Sequence, residues 1–229
     1  MNTTVIVPAL NEAGCIADLV RAALAHAVSA VIVVDNGSTD GTGALARAAG
    51  ARVVREARPG YGYACRAGAL AASEADVLVF LDGDDSFLPE ELPRLLRPIQ
   101  AGQADLVLGS RPQGQIEAGS MPPPQRFGNW LVARLMRCLY RLPLTDLGPY
   151  RAVRRELLAS LDMREMTYGW PTEMIVKAAR RRARIVEVPV TYRARRTGQS
   201  KVSGTVRGTV LAGYRILSAT FRYVAWDPE

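Results

Sequence analysis

The chain is poor in the residues that build many catalytic and metal sites, with one histidine, His26, and three cysteines among its 229 residues. A single histidine argues against a histidine-based catalytic triad and excludes a histidine-rich metal site. The cysteines, Cys15, Cys65 and Cys138, are far apart and form no CxxC pair. We therefore interpret them as reduced thiols of a cytoplasmic protein and exclude a disulfide scaffold.

Long apolar runs are also missing. No stretch of about 18 residues is free of charged side chains, so we expect no membrane-spanning helix. The first residues lack a basic segment followed by an apolar one, so we expect no signal peptide. With 48% hydrophobic and 22% charged residues, the chain has an ordinary globular composition, which excludes disorder and collagen-like repeats.

Charge is unevenly distributed along the chain. Residues 1–120 carry 9 basic and 14 acidic side chains, whereas residues 121–229 carry 20 basic and 8 acidic ones. A basic half indicates an anionic partner, such as nucleic acid, a phosphate ligand or a membrane surface. Residues 180–184, which include four arginines, have the simpler interpretation of a solvated helix end.

Short apolar segments alternate with helical patterns, which predicts an α/β fold with a parallel sheet covered on both faces. The predicted strands are 4–9, 30–34, 52–55, 76–81, 106–109 and 185–192, with a turn and strand within 145–153. Three predicted helices end near residues 27, 49 and 73, and a fourth begins at Pro89. Three more span residues 125–142, 172–182 and 205–224. Residues 114–124 and 193–204 are predicted loops.

An acidic turn follows one predicted strand, at the edge where open α/β sheets bind ligands. Its sequence is Asp82-Gly83-Asp84-Asp85. Two carboxylates two residues apart can face one hard divalent cation, which prefers oxygen ligands. A solvated turn is the commoner use of such a sequence. Its place after a buried strand in the acidic half favours a metal site.

Two further polar segments follow predicted strands. Asp35 begins a turn-rich run in which Thr39 or Asp40 would cap a helix. Asp35 could also accept hydrogen bonds from a ribose or a base. Asn11 and Glu12 follow the first strand, and Glu12 suits either a first helical turn or a contact with a nucleoside.

The spacing of these three segments, residues 7–12, 34–42 and 81–84, resembles that of family 2 glycosyltransferases. Segments 109–111, 146–151, 187–189 and 195–201 are similar to the dolichyl-phosphate mannosyltransferase and polyprenyl-phosphate glycosyltransferase branch. The resemblance implies the GT-A fold, a Rossmann-like, mixed and mostly parallel sheet. It also implies inverting transfer of a sugar from a UDP- or GDP-sugar to a polyprenyl or dolichyl phosphate.

The resemblance further implies roles for individual residues. The nucleoside pocket would be lined by Pro8, Ala9, Asn11, Glu12 and Asp35. The donor diphosphate and its Mg²⁺ or Mn²⁺ would lie at Asp82, Gly83 and Asp84, with the two aspartates as metal ligands. The acceptor would meet Arg111, Arg126 and Asn129. A basic loop closing over the phosphates would supply Arg195, Ser200 and Lys201, although an ordinary surface loop is the simpler interpretation of this segment. Asp84 and Arg195 would be catalytic.

The chain departs from the family pattern at two points. Many members that glycosylate a hydroxyl carry a Glu-Asp pair with the Asp as base, but here Met174 follows Glu173. A hydroxyl needs a positioned base, whereas a lipid phosphate is already an anionic nucleophile, so this difference favours a phosphate acceptor. Glu173 remains a candidate catalytic base. Asp85, Ser86 and Phe87 also differ from the mannosyltransferase pattern, which leaves the donor sugar open.

Residues 205–224 predict an amphipathic helix in which arginines recur between apolar positions. One interpretation is docking on the core or on a partner subunit, as in a homodimer. The other is an interfacial helix that makes a peripheral contact with the cytoplasmic face of an anionic membrane. We accordingly divide the chain into a catalytic domain, residues 1–204, and a C-terminal amphipathic helix, residues 205–229.

Three alternative functions stay open. The first is transfer to a soluble hydroxyl acceptor with Glu173 as base. The second is nucleotidyl transfer to a sugar phosphate, for which the expected glycine-rich N-terminal phosphate loop is missing. The third is a non-catalytic nucleotide-sugar-binding module, against which the intact Asp82 and Asp84 argue. We expect no nucleic-acid partner, because no binding motif accompanies the net charge of +7.

Overall fold

The computed structural model describes residues 1–196 and 206–226. It contains a seven-stranded sheet with the order β3-β2-β1-β4-β6-β5-β7. Strand β6 is antiparallel to both of its neighbours, and the other pairs are parallel. The strands are β1 (Thr3–Ala9), β2 (Ala30–Asp35), β3 (Arg52–Arg55), β4 (Val77–Phe80), β5 (Leu106–Ile116), β6 (Arg151–Arg154) and β7 (Ile185–Tyr192). The predicted mixed, mostly parallel sheet is confirmed.

Helices cover both faces of the sheet. Helices α1, α2 and α4 pack on one face, and α3, α5, α7 and α8 pack on the other. Each face has its own apolar core, because alternate strand residues point to opposite sides. The helices are α1 (Ile16–Leu24), α2 (Thr42–Ala48), α3 (Tyr61–Ala71), α4 (Leu92–Gln100), α5 (Pro123–Tyr140), α6 (Arg155–Ser160), α7 (Trp170–Arg180) and α8 (Val206–Arg222).

The register of the central strands brings the predicted polar segments to one edge. Ala9 at the end of β1 pairs with Asp35 at the end of β2, and Ile6 pairs with Phe80 at the end of β4. All four residues of β4 are buried, as expected for a strand covered on both faces. The turns after β1, β2 and β4 therefore meet at the carboxyl edge of the sheet.

Strand β5 differs most from its prediction, because it continues past Gly109 to Ile116. It pairs with β7 on both sides of an irregularity between Ser110 and Gln115. A side chain at Gly114 would collide with the Val190 backbone, so this glycine permits close pairing rather than beginning a loop. Helix α6 was not predicted, since six residues are too few for a helical pattern.

Helix α8 packs against α5 and α7, and it buries Ala212, Ala219 and Thr220. On its other side, Val210 and Tyr214 are about two thirds exposed, at 66% and 65%. Docking on the core is therefore confirmed, and an apolar face remains at the surface. Among the described residues, no helix is both long and apolar enough to cross a membrane.

Candidate functional site

The acidic turn after β4 lies at the carboxyl edge of the sheet. Ser86 donates its backbone N–H and its hydroxyl to Asp84 Oδ1, at 3.1 and 2.6 Å. These bonds fix one oxygen of Asp84, and the other, Oδ2, accepts a hydrogen bond from Arg195. A Cβ at Gly83 would lie 3.2 Å from the carbonyl oxygen of Pro8, so the small residue lets the turn approach the end of β1.

Asp82 is held from the opposite side by α3. The hydroxyl of Tyr61 donates to Asp82 Oδ1 at 3.1 Å. Burial and the nearby charge of Asp84 raise the pKa of Asp82 to about 7, despite the opposing effect of this hydrogen bond. Two carboxylates so close together repel each other when both are ionised, and a bound cation would relieve that repulsion.

Arg195 bridges two of the predicted site residues. Its Nη1 lies 3.0 Å from Glu12 Oε1, and its Nη2 lies 3.0 Å from Asp84 Oδ2. Only 20% of the Arg195 side chain is exposed, against 6% for Glu12 and 16% for Asp84. A partly desolvated guanidinium between two carboxylates forms charge-assisted hydrogen bonds, which are stronger than neutral ones. The structure thus joins residues that lie up to 183 positions apart in sequence.

The carboxylate oxygens of Asp82 and Asp84 suit a divalent cation that takes its other ligands from a diphosphate. Mg²⁺ in proteins is commonly held by one or two carboxylates, with substrate phosphates and water completing the shell. Within the described ranges, no group of three or more His, Cys, Asp or Glu side chains could hold a metal. A cation here would therefore depend on oxygens from a bound ligand.

Hydrogen bonds join the turns after β1 and β2, where the resemblance predicts a nucleoside pocket. Asn11 adopts a left-handed φ of 57° and accepts from Thr39 N through Oδ1 at 2.8 Å. Asp35 Oδ1 accepts from Ser38 N at 2.8 Å, which stabilises the turn after β2. A Cβ at Gly43 would lie 2.9 Å from Asp35 Oδ2. Strand pairing sets Pro8 and Ala9 beside Val34 and Asp35, and Asn11 and Glu12 form hydrogen bonds with residues that follow β2. That these residues contact a nucleoside stays a prediction.

Arg111 is already engaged by an acidic partner. It forms a bidentate pair with Asp146, with Nε–Oδ2 and Nη2–Oδ1 both at 2.7 Å. Its guanidinium also lies 5.0 Å from the ring centre of Tyr192. Asp146 is fully buried, so the pair anchors the loop before β6 against β5. Whether Arg111 contacts an acceptor stays a prediction.

The two residues predicted on α5 have different surroundings. Asn129 donates to Thr145 O at 3.0 Å and accepts from Leu147 N at 3.2 Å. It therefore ties α5 to the loop before β6. Arg126 is exposed in the first turns of α5. Ser200 and Lys201 lie outside the described residues.

Glu173 lies in a buried ion pair on α7, whereas Asp82 and Asp84 lie in the turn after β4. Its Oε1 is 2.8 Å from Lys177 Nζ, and the two side chains are 0% and 1% exposed. Its carboxylate also accepts from the backbone N–H groups of Arg164 and Glu165. These contacts give Glu173 a structural role in holding the loop before α7. Its role as a catalytic base stays a prediction without support from this geometry.

Tyr61 is a residue of the site that no motif in the sequence predicts. It begins α3, and a Cβ at the next residue, Gly62, would lie 2.6 Å from backbone atoms of Glu165 and Met166. The glycines on either side of Tyr61 were the available signal, because close backbone approach requires them. Arg196, which pairs with Asp85 at 3.0 Å, was also missed.

Comparison with known proteins supports the resemblance. The sequence profile of glycosyl transferase family 2 matches residues 4–162. An uncharacterised glycosyltransferase of Mycobacterium tuberculosis is 41% identical over 209 residues, which cover 91% of this chain and 93% of the relative. The undecaprenyl-phosphate mannosyltransferase of Micrococcus luteus is 37% identical over 225 residues, which cover 91% of this chain and 90% of the relative.

Solved structures agree with the family and the fold. The glucosyl-3-phosphoglycerate synthase of Mycobacterium tuberculosis, in complex with Mn²⁺, uridine diphosphate and phosphoglyceric acid, is 27% identical, with a TM-score of 0.78. The match covers 100% of this chain and 80% of that chain. The predicted family and fold are confirmed: the chain belongs to glycosyl transferase family 2, and it is a glycosyltransferase with the GT-A fold.

Proposed function

We propose that this glycosyltransferase moves a sugar from a UDP- or GDP-sugar to a polyprenyl or dolichyl phosphate, with inversion and with a divalent cation. The observation that carries the proposal is a group of residues at the carboxyl edge of the sheet, Asp82, Asp84, Glu12 and Arg195. We call this group the acidic cluster. It combines carboxylates for a cation with a guanidinium for phosphate. The relative from Micrococcus luteus is named for an undecaprenyl phosphate acceptor, which supports the same acceptor class.

Asp82 and Asp84 would hold Mg²⁺ or Mn²⁺ against the donor diphosphate. When bound, the cation would neutralise charge that develops on the departing nucleoside diphosphate. The structural neighbour with Mn²⁺ and uridine diphosphate supports a divalent metal and a nucleotide ligand. Thermal shifts measured with the donor in Mg²⁺ and in Mn²⁺ would show which of the two metals this protein uses.

Arg195 would exchange carboxylates for phosphate oxygens when substrates bind. Its guanidinium sits 3.0 Å from both Glu12 and Asp84, within reach of the space where a diphosphate would lie. Arginine binds phosphate with two parallel hydrogen bonds. Ser200 and Lys201 follow Arg195 closely in sequence and would add donors to the same anion.

The reaction would be a single displacement at the anomeric carbon. An oxygen of the acceptor phosphate forms the new bond to that carbon as the bond to the donor diphosphate breaks. The nucleoside diphosphate leaves with the electron pair. The acceptor phosphate is already an anion, so no side chain needs to remove a proton. The full engagement of Glu173 with Lys177 and two backbone N–H groups supports this acceptor over a hydroxyl.

A peripheral membrane contact at the cytoplasmic face would bring the enzyme to a lipid acceptor. The exposed face of α8 supports it, and so does a second exposed apolar pair on α5, Phe127 and Trp130, with ring centres 5.8 Å apart. Aromatic side chains favour the interfacial region of a membrane. In this division of roles, residues 1–204 would catalyse transfer, and residues 205–229 would contact lipid together with the aromatic pair on α5. Loss of vesicle co-sedimentation in a Trp130→Gln, Tyr214→Gln variant would support this contact, and unchanged co-sedimentation would contradict it.

Binding of the donor tests the acidic cluster directly. UDP- and GDP-sugars should raise the melting temperature more in Mn²⁺ than in chelator, because a ligand that binds only the folded state stabilises it. Asp84→Asn should abolish the Mn²⁺-dependent part of the shift. Asp85→Asn is the matched control, since Asp85 pairs with Arg196 rather than Arg195, and it should retain that part. Equal shifts with and without Mn²⁺ would contradict the metal role.

A further inference from the structure

A group of arginines lies at the edge of the sheet opposite the acidic cluster. Helix α7 ends at Arg180 and leads into β7, whose first residue, Ile185, pairs with the first residue of β5, Leu106. The acidic cluster instead follows the ends of β1 and β4. Between the C-terminal ends of α5 and α7 is a groove of about 690 Å³. Its lining includes Leu139, Tyr140 and four arginines, Arg141, Arg180, Arg181 and Arg182.

The charges of these arginines are not balanced by the described part of the chain. Arg184, two positions beyond Arg182, pairs with Asp105 at 2.6 Å. None of the four groove arginines forms such a pair with an acidic side chain in residues 1–196 or 206–226. Four neighbouring guanidinium groups repel one another, and an anion among them would remove that repulsion.

Two of the arginines are held in place beside the groove. Arg180 donates from Nε to Trp226 O at 2.7 Å, and Arg181 lies 5.8 Å from the centre of the Trp226 ring. The Nε of Arg181 is buried and has no hydrogen-bond partner among the described residues. Buried donors in folded proteins are almost always paired, so this atom indicates a missing acceptor.

The other two arginines occupy strained backbone positions. Arg141 at the end of α5 has a φ of 57°, and Arg182 just after α7 has a φ of 56°. A left-handed residue at a helix end is usually glycine, because a side chain there is strained. Favourable interaction with the helix dipoles offsets part of this cost. The dipoles do not account for four arginines converging on one groove.

We propose that this groove is a binding site for an anion that carries two or more phosphate charges. Guanidinium groups match phosphate oxygens with paired hydrogen bonds. The same chemistry is presented by a soluble diphosphate and by the clustered headgroups of anionic phospholipids. The site is separate from the proposed active site, because it lies at the opposite edge of the sheet and uses different helices.

Two probes distinguish these sources. Inorganic pyrophosphate is titrated calorimetrically in chelator, and vesicles of phosphatidylglycerol are compared with vesicles of phosphatidylcholine by co-sedimentation. The test variant is Arg141→Gln, Arg182→Gln, whose residues are exposed. The matched control is Arg47→Gln, Arg97→Gln, which removes two exposed arginines from the other face of the sheet. Melting temperatures check that each variant is folded.

The test pair should weaken binding of at least one probe by about tenfold or more, while the control pair stays within about twofold. Weaker pyrophosphate binding identifies a soluble anion as a ligand. A loss confined to phosphatidylglycerol vesicles identifies lipid headgroups. The proposal is overturned if the wild-type protein binds neither probe, if the test pair binds both probes as the wild type does, or if both pairs weaken binding equally.

Discussion

Within the acidic cluster, the pKa of Asp82 is raised because this side chain lies partly buried beside Asp84. Its pKa of about 7 is well above the ordinary aspartate pKa of 3.8. Between these two values the folded protein binds a proton that the unfolded chain releases. The free energy of unfolding therefore decreases as pH rises through this range.

We expect the melting temperature of the metal-free protein to fall as pH rises from about 5 to about 8. In Asp82→Asn the fall should be smaller, because the group responsible no longer ionises. Calorimetric scans in chelator measure both curves. Asp18→Asn is a suitable control, since Asp18 is an exposed carboxylate on α1, and it should follow the wild type. Superimposable wild-type and Asp82→Asn curves would contradict the burial of this charge.

Individual candidate site residues were predictable only where the neighbouring sequence indicates them. Asp82 and Asp84 follow an apolar strand, and that pattern predicts them as candidate site residues. The contact of Tyr61 with Asp82 depends on how α3 docks, which no nearby residue reveals. The engagement of Arg111 likewise depends on Asp146, 35 positions away.

Helix α7 is held by the buried pair of Glu173 and Lys177. Lys177 also donates to Asp162 O at 2.6 Å, and its Nζ lies 4.6 Å from the ring centre of Tyr223, just beyond α8. The pair thus connects α7, the preceding loop and the end of α8. Removing one partner of a buried ion pair leaves an uncompensated charge, which costs about 3–5 kcal/mol.

Glu173→Gln should lower stability by that amount and leave the transfer rate per folded molecule within a few-fold of wild type. Denaturant unfolding and initial rates at low temperature separate the two effects. Glu156→Gln, at an exposed carboxylate in the first turn of α6, should change neither. A variant of near-normal stability that has lost transfer would instead identify Glu173 as a catalytic base.

The start of α3 is positioned by close backbone packing at Gly62. A Cβ there would lie 2.6 Å from the backbone of Glu165 and Met166, and backbone cannot move aside as a side chain can. Gly62→Ala should therefore destabilise the fold by about 1–3 kcal/mol. It should also weaken Mn²⁺-dependent donor binding, because Tyr61 would shift away from Asp82.

Gly128→Ala provides the comparison, because nothing lies within 4 Å of a Cβ at that position in α5. Alanine is the better helix former, so this change should stabilise the protein by about 0.5–1 kcal/mol. Thermal unfolding and nucleotide titration measure both variants. Equal effects of the two substitutions would show that packing at Gly62 does not position Tyr61.

Element types were largely predictable from apolar periodicity, and β3 and β7 have the predicted bounds. Errors arose where tertiary contacts decide the outcome. The extension of β5 depends on Gly114 lying against Val190, and α6 is too short to carry a pattern of its own.

Across the whole molecule, the acidic and basic halves of the sequence meet at one site. Strand β7 runs parallel to β5 and ends at the same edge as β1 and β4. Arg195, three residues beyond β7, therefore reaches Glu12 and Asp84 from the basic half. The uneven charge of the sequence is thus the source of complementary groups at the proposed active site, where the carboxylates would hold a cation and the guanidinium would hold phosphate.

The most direct measurement is transfer of labelled sugar from the donor that gives the largest thermal shift. Polyprenyl phosphate, the corresponding free polyprenol and 3-phosphoglycerate are offered in parallel, each with Mn²⁺ and with excess chelator. We predict that label enters polyprenyl phosphate, that the free alcohol and 3-phosphoglycerate receive none, and that chelator stops transfer. Transfer that proceeds equally in chelator, or that reaches the free alcohol but not the lipid phosphate, would contradict a metal-dependent enzyme acting on a phosphate acceptor.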